Sequence, residues 1–198
     1  MNAILVSQRV DEHPDRNEIR DALDHRLIDF CCSAGFLGFP VPNRILSHGE
    51  DQLRLFAKKV RPKGIILSGG NDIGVSQERD DTEEWLLNYA FSEGLPVLGI
   101  CRGMQFIGKF YGVELKEVGG HVCVRHRILG DINKEVNSFH SMCIDRCPEN
   151  FYVLARCEDG EIEAIRHRSY RIEAWMWHPE RESVFDQDDI QRLRDLFN

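Results

Sequence analysis

The chain reads as an α/β protein with a mostly parallel central sheet, helices on both faces and an antiparallel C-terminal extension. Three features predict this. From residue 3 to residue 111, short apolar runs alternate with stretches whose apolar residues recur at helical period. One run, residues 96–100, leads into Gly99-Ile100-Cys101-Arg102-Gly103, a G-x-C-x-G turn followed by a helix-like segment. Beyond Gly112 the pieces become short and strand-like.

In chain order, residues 3–7 form a continuous apolar run, the pattern of a strand covered on both faces. Residues 18–34 carry Ile19, Leu23, Leu27 and Phe30 on one helical face, and Gly35 closes the segment. A strand at 37–41, a helix at 51–60 and a short buried strand at 64–67 follow. Residues 82–92 read as a helix ending at Glu93-Gly94. The strand at 96–100 and the helix at 102–111 flank the cysteine turn. Strands are then expected at 113–116, 122–128, 135–139, 151–157, 162–167 and 173–177, with a last helix at 187–197. No linker, repeat or low-complexity segment interrupts the chain, so residues 1–198 read as one domain.

Composition narrows the function. The 198 residues are 42% hydrophobic, enough for an ordinary core, and carry a net charge of −8, which argues against a general nucleic-acid binder. No apolar run approaches the ~20 residues of a membrane span. Met1-Asn2-Ala3-Ile4-Leu5-Val6 lacks the charged start of a signal peptide and reads as the first strand. The seven cysteines show no C-x-x-C pair; Cys143 and Cys147 are four apart with no second pair in zinc-site register. A reduced, cytoplasmic protein without metal or cofactor is expected.

The cysteine turn has the layout of a nucleophile elbow with sulfur in place of oxygen. Its glycines permit a sharp strand-to-helix turn, and the helix N-terminus favours thiolate. A cysteine nucleophile needs a base. Trp177-His178-Pro179-Glu180 supplies one: His178 follows an apolar strand and should stand at a strand end, where active-site groups of open α/β sheets gather. Glu180 is near enough in sequence to hold the imidazole tautomer. Oxyanion donors are expected from the backbone N–H groups of Gly70, in Ser68-Gly69-Gly70-Asn71-Asp72, and of Arg102.

Four segments then resemble class I glutamine amidotransferases: Leu-Ser-Gly-Gly-Asn-Asp at 67–72, Gly-Ile-Cys-Arg-Gly-Met-Gln at 99–105, Val-Asn-Ser-Phe-His-Ser at 136–141 and Trp-His-Pro-Glu at 177–180. They fall in the family's order and span most of the chain. The resemblance implies a flavodoxin-like three-layer sandwich and a Cys101-His178-Glu180 triad that hydrolyses a γ-glutamyl amide and releases glutamate. It further implies that Gln105, Ser138, Phe139 and His140 contact the glutamyl group. Within the superfamily, the stand-alone γ-glutamyl hydrolases look most similar. The Ser-Gln-Arg start at 7–9, the Gly-Gly-Asn-Asp loop and Met-Trp-His-Pro-Glu-Arg at 176–181 look like the γ-glutamyl-CDP-amidate hydrolases, which act in the phosphoramidate modification of capsular polysaccharide. A γ-glutamyl-GABA hydrolase and a glutaminase subunit feeding ammonia to a separate synthetase are the alternatives. The expected partner is a small γ-glutamyl substrate, with no nucleic acid or membrane; a homodimer is compatible with the reading.

A nucleotide leaving group would need cations near the thiol. Residues 121–127, read as a strand, would place His121, Cys123, Arg125 and Arg127 on one side, with Arg9 and Arg102 adding charge. The alternative for this segment is a solvated edge strand.

Overall fold

The structure, a computed structural model, describes all residues 1–198. The first half alternates strand and helix: β1 (Asn2–Ser7), β2 (Arg9–His13), β3 (Glu18–Ala22), α1 (His25–Ser33), β4 (Phe36–Val41), α2 (Glu50–Val60), β5 (Ile65–Leu67), α3 (Gln77–Glu93), β6 (Val97–Ile100) and α4 (Arg102–Phe110). Strands dominate the second half: β7 (Leu115–Glu117), β8 (Val122–Gly130), β9 (Lys134–Phe139), β10 (Met142–Ile144), β11 (Phe151–Cys157), β12 (Ile162–His167) and β13 (Ile172–Trp175), closed by α5 (Gln187–Phe197).

Nine strands form one sheet in the order β4-β1-β5-β6-β13-β12-β11-β8-β9. The first five are mutually parallel. From β13 outward every pairing is antiparallel. Strand alternation divides the core between two faces. Ile4, Val6, Ile66, Leu98 and Ile100 pack with Leu27 and Phe30 of α1 and with Leu193 and Phe197 of α5. Leu5, Ile65, Leu67 and Val97 pack on the opposite face with Leu53 of α2, Leu86 of α3 and Ile107 of α4. This is the predicted three-layer sandwich with its antiparallel extension.

One expected helix divides. Residues 18–22 are strand β3, paired antiparallel with β2, and only His25–Ser33 is helical. Asp24 caps α1 by accepting from the Arg26 N–H at 2.9 Å, which starts the helix there. Ile19 fits the helical spacing by coincidence: it is 72% exposed, whereas Leu27 and Phe30 are buried. Helix α3 begins at Gln77, five residues before the expected start, behind a Ser76 cap. Its first turns bury Arg79 and Glu83 rather than apolar side chains, so hydrophobic period gives no signal for them.

Candidate active site

The parallel strands deliver the site. Cys101 joins β6 to α4 with φ 50° and ψ −104°, a backbone conformation that a side chain adopts only under tertiary constraint. Packing demands both flanking glycines. A Cβ on Gly99 would lie 2.7 Å from Ile107 Cδ1, and one on Gly103 would enter the Leu67 carbonyl. The turn is tied down by Cys101 N–H donating to the Trp175 carbonyl at 2.7 Å. Its own carbonyl accepts from Met104 N–H at 2.9 Å and Gln105 N–H at 3.1 Å. The thiol therefore sits at the positive end of α4, 7% exposed.

His178 comes from beyond the end of β13, the neighbour of β6. Asn137 of β9 brackets its backbone, accepting from His178 N–H at 2.9 Å and donating Nδ2–H to the His178 carbonyl at 2.8 Å. Pro179 then turns the chain so that Glu180 Oε1 lies 2.6 Å from His178 Nδ1. Arg26 stitches this turn to α1, donating to the carbonyls of Glu180 and Glu182. Gly69 leaves room for the imidazole, since a Cβ there would stand 2.6 Å from His178 Cε1. Burial alone would push the His178 pKa down. Hydrogen bonding and charge from Cys101 and Glu180 outweigh that and hold it at about 9. The imidazole is thus cationic at neutral pH, poised between a carboxylate and the thiol.

Beneath the loop after β5 lies a buried ionic scaffold. Arg79 donates to the carbonyls of Ser68 at 2.8 Å and Gly69 at 3.0 Å and to Glu83 at 3.0 Å. Glu83 also accepts from Ser7 Oγ–H at 2.7 Å and from Arg102. Removing one partner from such a network typically costs about 3–5 kcal/mol, because the remaining charge stays buried. Gly70 takes φ 132°, a glycine conformation, and a Cβ there would meet Arg79 Nη1 at 2.6 Å. Arg102 corrects one expectation. Its side chain is 1% exposed and bound to Glu83 and Asp80, so it supplies no charge to a ligand. Its backbone N–H, as the first of α4, has no acceptor within the helix.

The remaining candidates separate into two groups. Arg9 lines a cavity of about 150 Å³ with Ser68, Gly69, Gly70, His178 and Arg181. Phe139 packs edge-on to His178 with ring centroids 5.8 Å apart, and Arg181 lies over the Phe139 ring at 4.6 Å. Gln105, one turn along α4 from the thiol, is buried and donates to the Met142 carbonyl at 2.8 Å. Other residues face elsewhere. Ser138 Oγ–H donates to the His121 carbonyl at 2.7 Å, and the His140 ring turns away to Glu163 and His121. The expected basic face on β8 forms only in part, since Arg125 and Arg127 are both exposed, two apart in a regular stretch of the strand. A bulge with Cys123 at φ 55° breaks the alternation, and His121 points inward, 2% exposed. Arg125 is held by Glu135 at 2.8 Å and Glu182 at 2.9 Å, and Arg127 by Asn133 at 3.2 Å. Asn137 and Arg181 join the site without having been expected there; both lie within the family-like segments, which were the signal for them. A larger concavity, about 630 Å³ between β9, β12, β13 and α5, shares no residue with the thiol site.

Comparison with known proteins gives the family and the fold. The sequence pattern of class I glutamine amidotransferases matches residues 20–195. The chain is 34% identical over 143 residues to a γ-glutamyl-CDP-amidate hydrolase of Campylobacter jejuni, covering 69% of this chain and 70% of that one. It is 32% identical over 145 residues to a subunit of the glutamine-hydrolysing GMP synthase of Pyrococcus abyssi, covering 68% and 75%. A crystal structure of a candidate GMP synthase subunit from Thermoplasma acidophilum superimposes with a TM-score of 0.72 at 22% identity, over 100% of this chain and 92% of that one, a likeness of fold. On the family pattern and these relatives, the chain belongs to the class I glutamine amidotransferase family.

Proposed function

We propose that the chain hydrolyses a γ-glutamyl amide through a thioester on Cys101. One observation carries the reading: a buried imidazole, 2.6 Å from a carboxylate and held cationic beside an elbow thiol, at the ends of adjacent parallel strands. In this reading the Cys101 thiolate attacks the γ-carbonyl carbon. The N–H groups of Gly70 and Arg102 receive the oxyanion, and the His178 imidazolium protonates the leaving nitrogen. Neutral His178 then takes a proton from water as the water attacks the thioester, and glutamate leaves with the thiolate and imidazolium restored. Glu180 keeps the imidazole oriented throughout.

For the leaving group we propose cytidine diphosphoramidate, released from γ-glutamyl-CDP-amidate. Similarity to the Campylobacter hydrolase supports this, as do Arg9 and Arg181 at the cavity beside His178. The second reading is a glutaminase subunit that passes ammonia to a separate synthetase, favoured by the likeness to the Pyrococcus GMP synthase subunit. Glutamate release from γ-glutamyl-CDP-amidate, γ-glutamyl-GABA and glutamine, measured side by side, separates these. The first proposal expects the highest kcat/KM on the nucleotide compound. Turnover of glutamine alone, rising when a synthetase is added, would replace it with the second.

A further inference from the structure

A second cluster of titratable groups lies outside the thiol site, in the antiparallel half. His121 precedes β8, His126 lies within it, His140 follows β9, and Glu163 projects from β12. Glu163 is fully buried, and neither of its carboxylate oxygens has a hydrogen-bond partner; His126 Nε2 is likewise buried and unpartnered. Three imidazole nitrogens surround one carboxylate oxygen. His121 Nδ1 and His140 Nε2 are 3.4 Å from Glu163 Oε1, and His126 Nε2 is 3.5 Å from it. His121 Nδ1 and His140 Nε2 are 3.3 Å apart.

These separations are long for N–H···O hydrogen bonds, which cluster at about 2.7–3.2 Å. All four come close to the edge length of a coordination polyhedron instead. Metal–nitrogen and metal–oxygen bonds of about 2.0–2.1 Å give donor-to-donor edges of about 3.3–3.4 Å. A cation at the centre would also resolve an otherwise costly feature, a carboxylate out of water with no donor aimed well at it. The outer contacts fit ligation as well. Ligating imidazoles usually give their other ring nitrogen to a carboxylate or carbonyl. Here His121 Nε2 is 2.7 Å from Asp159 Oδ2, and His140 Nδ1 is 3.1 Å from the Met142 carbonyl.

We propose that His121 Nδ1, His126 Nε2, His140 Nε2 and Glu163 Oε1 bind one divalent transition-metal ion, with zinc the best fit to three imidazoles and a carboxylate. Four protein donors close the coordination sphere, so the role is structural. The ion would clamp β8, β9 and β12 together, and β9 carries the Asn137 that fixes His178. Cys157 Sγ and donor atoms of His121, His126 and Glu163 all lie within 4.8 Å of one another, so Cys157 competes with His140 for the fourth position.

The test uses the intact chain with Cys101→Ala, which removes the elbow thiol as a rival zinc ligand. After chelator treatment, calorimetric titration with zinc should give one equivalent bound, with a raised Tm. Cobalt should give the visible bands of a tetrahedral centre, a measurement that needs no ligand variant. His126→Gln, at the most exposed ligand, and Glu163→Gln should each abolish uptake, and Asp159→Asn should weaken affinity about 10- to 100-fold. Failure of the apo chain to take up zinc, or full uptake surviving in both ligand variants, would overturn the site. A sulfur-to-cobalt charge-transfer band that disappears in Cys157→Ser would overturn the three-histidine set in favour of thiolate.

Discussion

The parallel and antiparallel halves of the sheet each bury a histidine–carboxylate grouping, and they do so differently. In the parallel half His178 has one carboxylate at 2.6 Å, and a thiol stands at the neighbouring strand end. In the antiparallel half Glu163 stands among three imidazoles at 3.4–3.5 Å. The first geometry suits moving a proton, because one short contact fixes the tautomer and leaves the other ring nitrogen toward the thiol. The second suits sharing a charge among several donors. Distance, more than composition, separates the two groupings.

That contrast can be broken most directly at the thiol. Cys101→Ala should abolish glutamate release and leave the thermal transition within a degree or so; residual turnover like that of the parent chain would refute nucleophilic catalysis. His178→Asn should lower kcat about 10²- to 10⁴-fold, the usual share of general acid–base catalysis, read from steady-state rates.

A sharper comparison comes from pH. The imidazolium proposed to protonate the leaving nitrogen is lost as pH rises through about 9, so glutamate release should fall on that side. The same raised pKa contributes stability that is fully present below the ordinary value of 6.5 and is gone above about 9, so denaturant midpoints should decline over that range. Glu180→Gln should move the alkaline limb of the rate profile to lower pH, with a smaller loss of kcat than His178→Asn. An unmoved limb would remove the carboxylate from this role.

The smallest effects are expected at the rim. Arg9→Ala and Arg181→Ala should each raise KM for γ-glutamyl-CDP-amidate several-fold while barely changing KM for glutamine. Arg125→Ala should do less, because Arg125 does not line the cavity beside His178 that Arg9 and Arg181 line. Equal shifts for both substrates would detach the two arginines from a phosphate group.

Legibility in the sequence follows the length of chain over which a constraint acts. Helix α5, strand β1 and the β6–α4 elbow are readable because apolar period, glycine spacing and a proline act within a few residues. The hairpin β2–β3 is not, since Ile19 and Leu23 match a helical face by spacing and only the pairing of Glu18–Ala22 with Arg9–His13 decides otherwise. The start of α3 is hidden because polar residues are buried there. His140 shows both sides: its motif places it near the site, while the fold turns its ring toward Glu163, 23 residues on.

The amino-acid order alone determined the layered α/β architecture and the neighbourhoods of thiol and imidazole, because glycine turns, helix caps and strand period are enforced by local sterics. Which side chains meet was decided in three dimensions. The β8 bulge sent His121 inward, the β8–β9 register brought Arg125 to Glu135, and the last turn carried Glu182 to Arg125. Contacts between separate strands depend on register, and register emerges only when the whole sheet closes on its core.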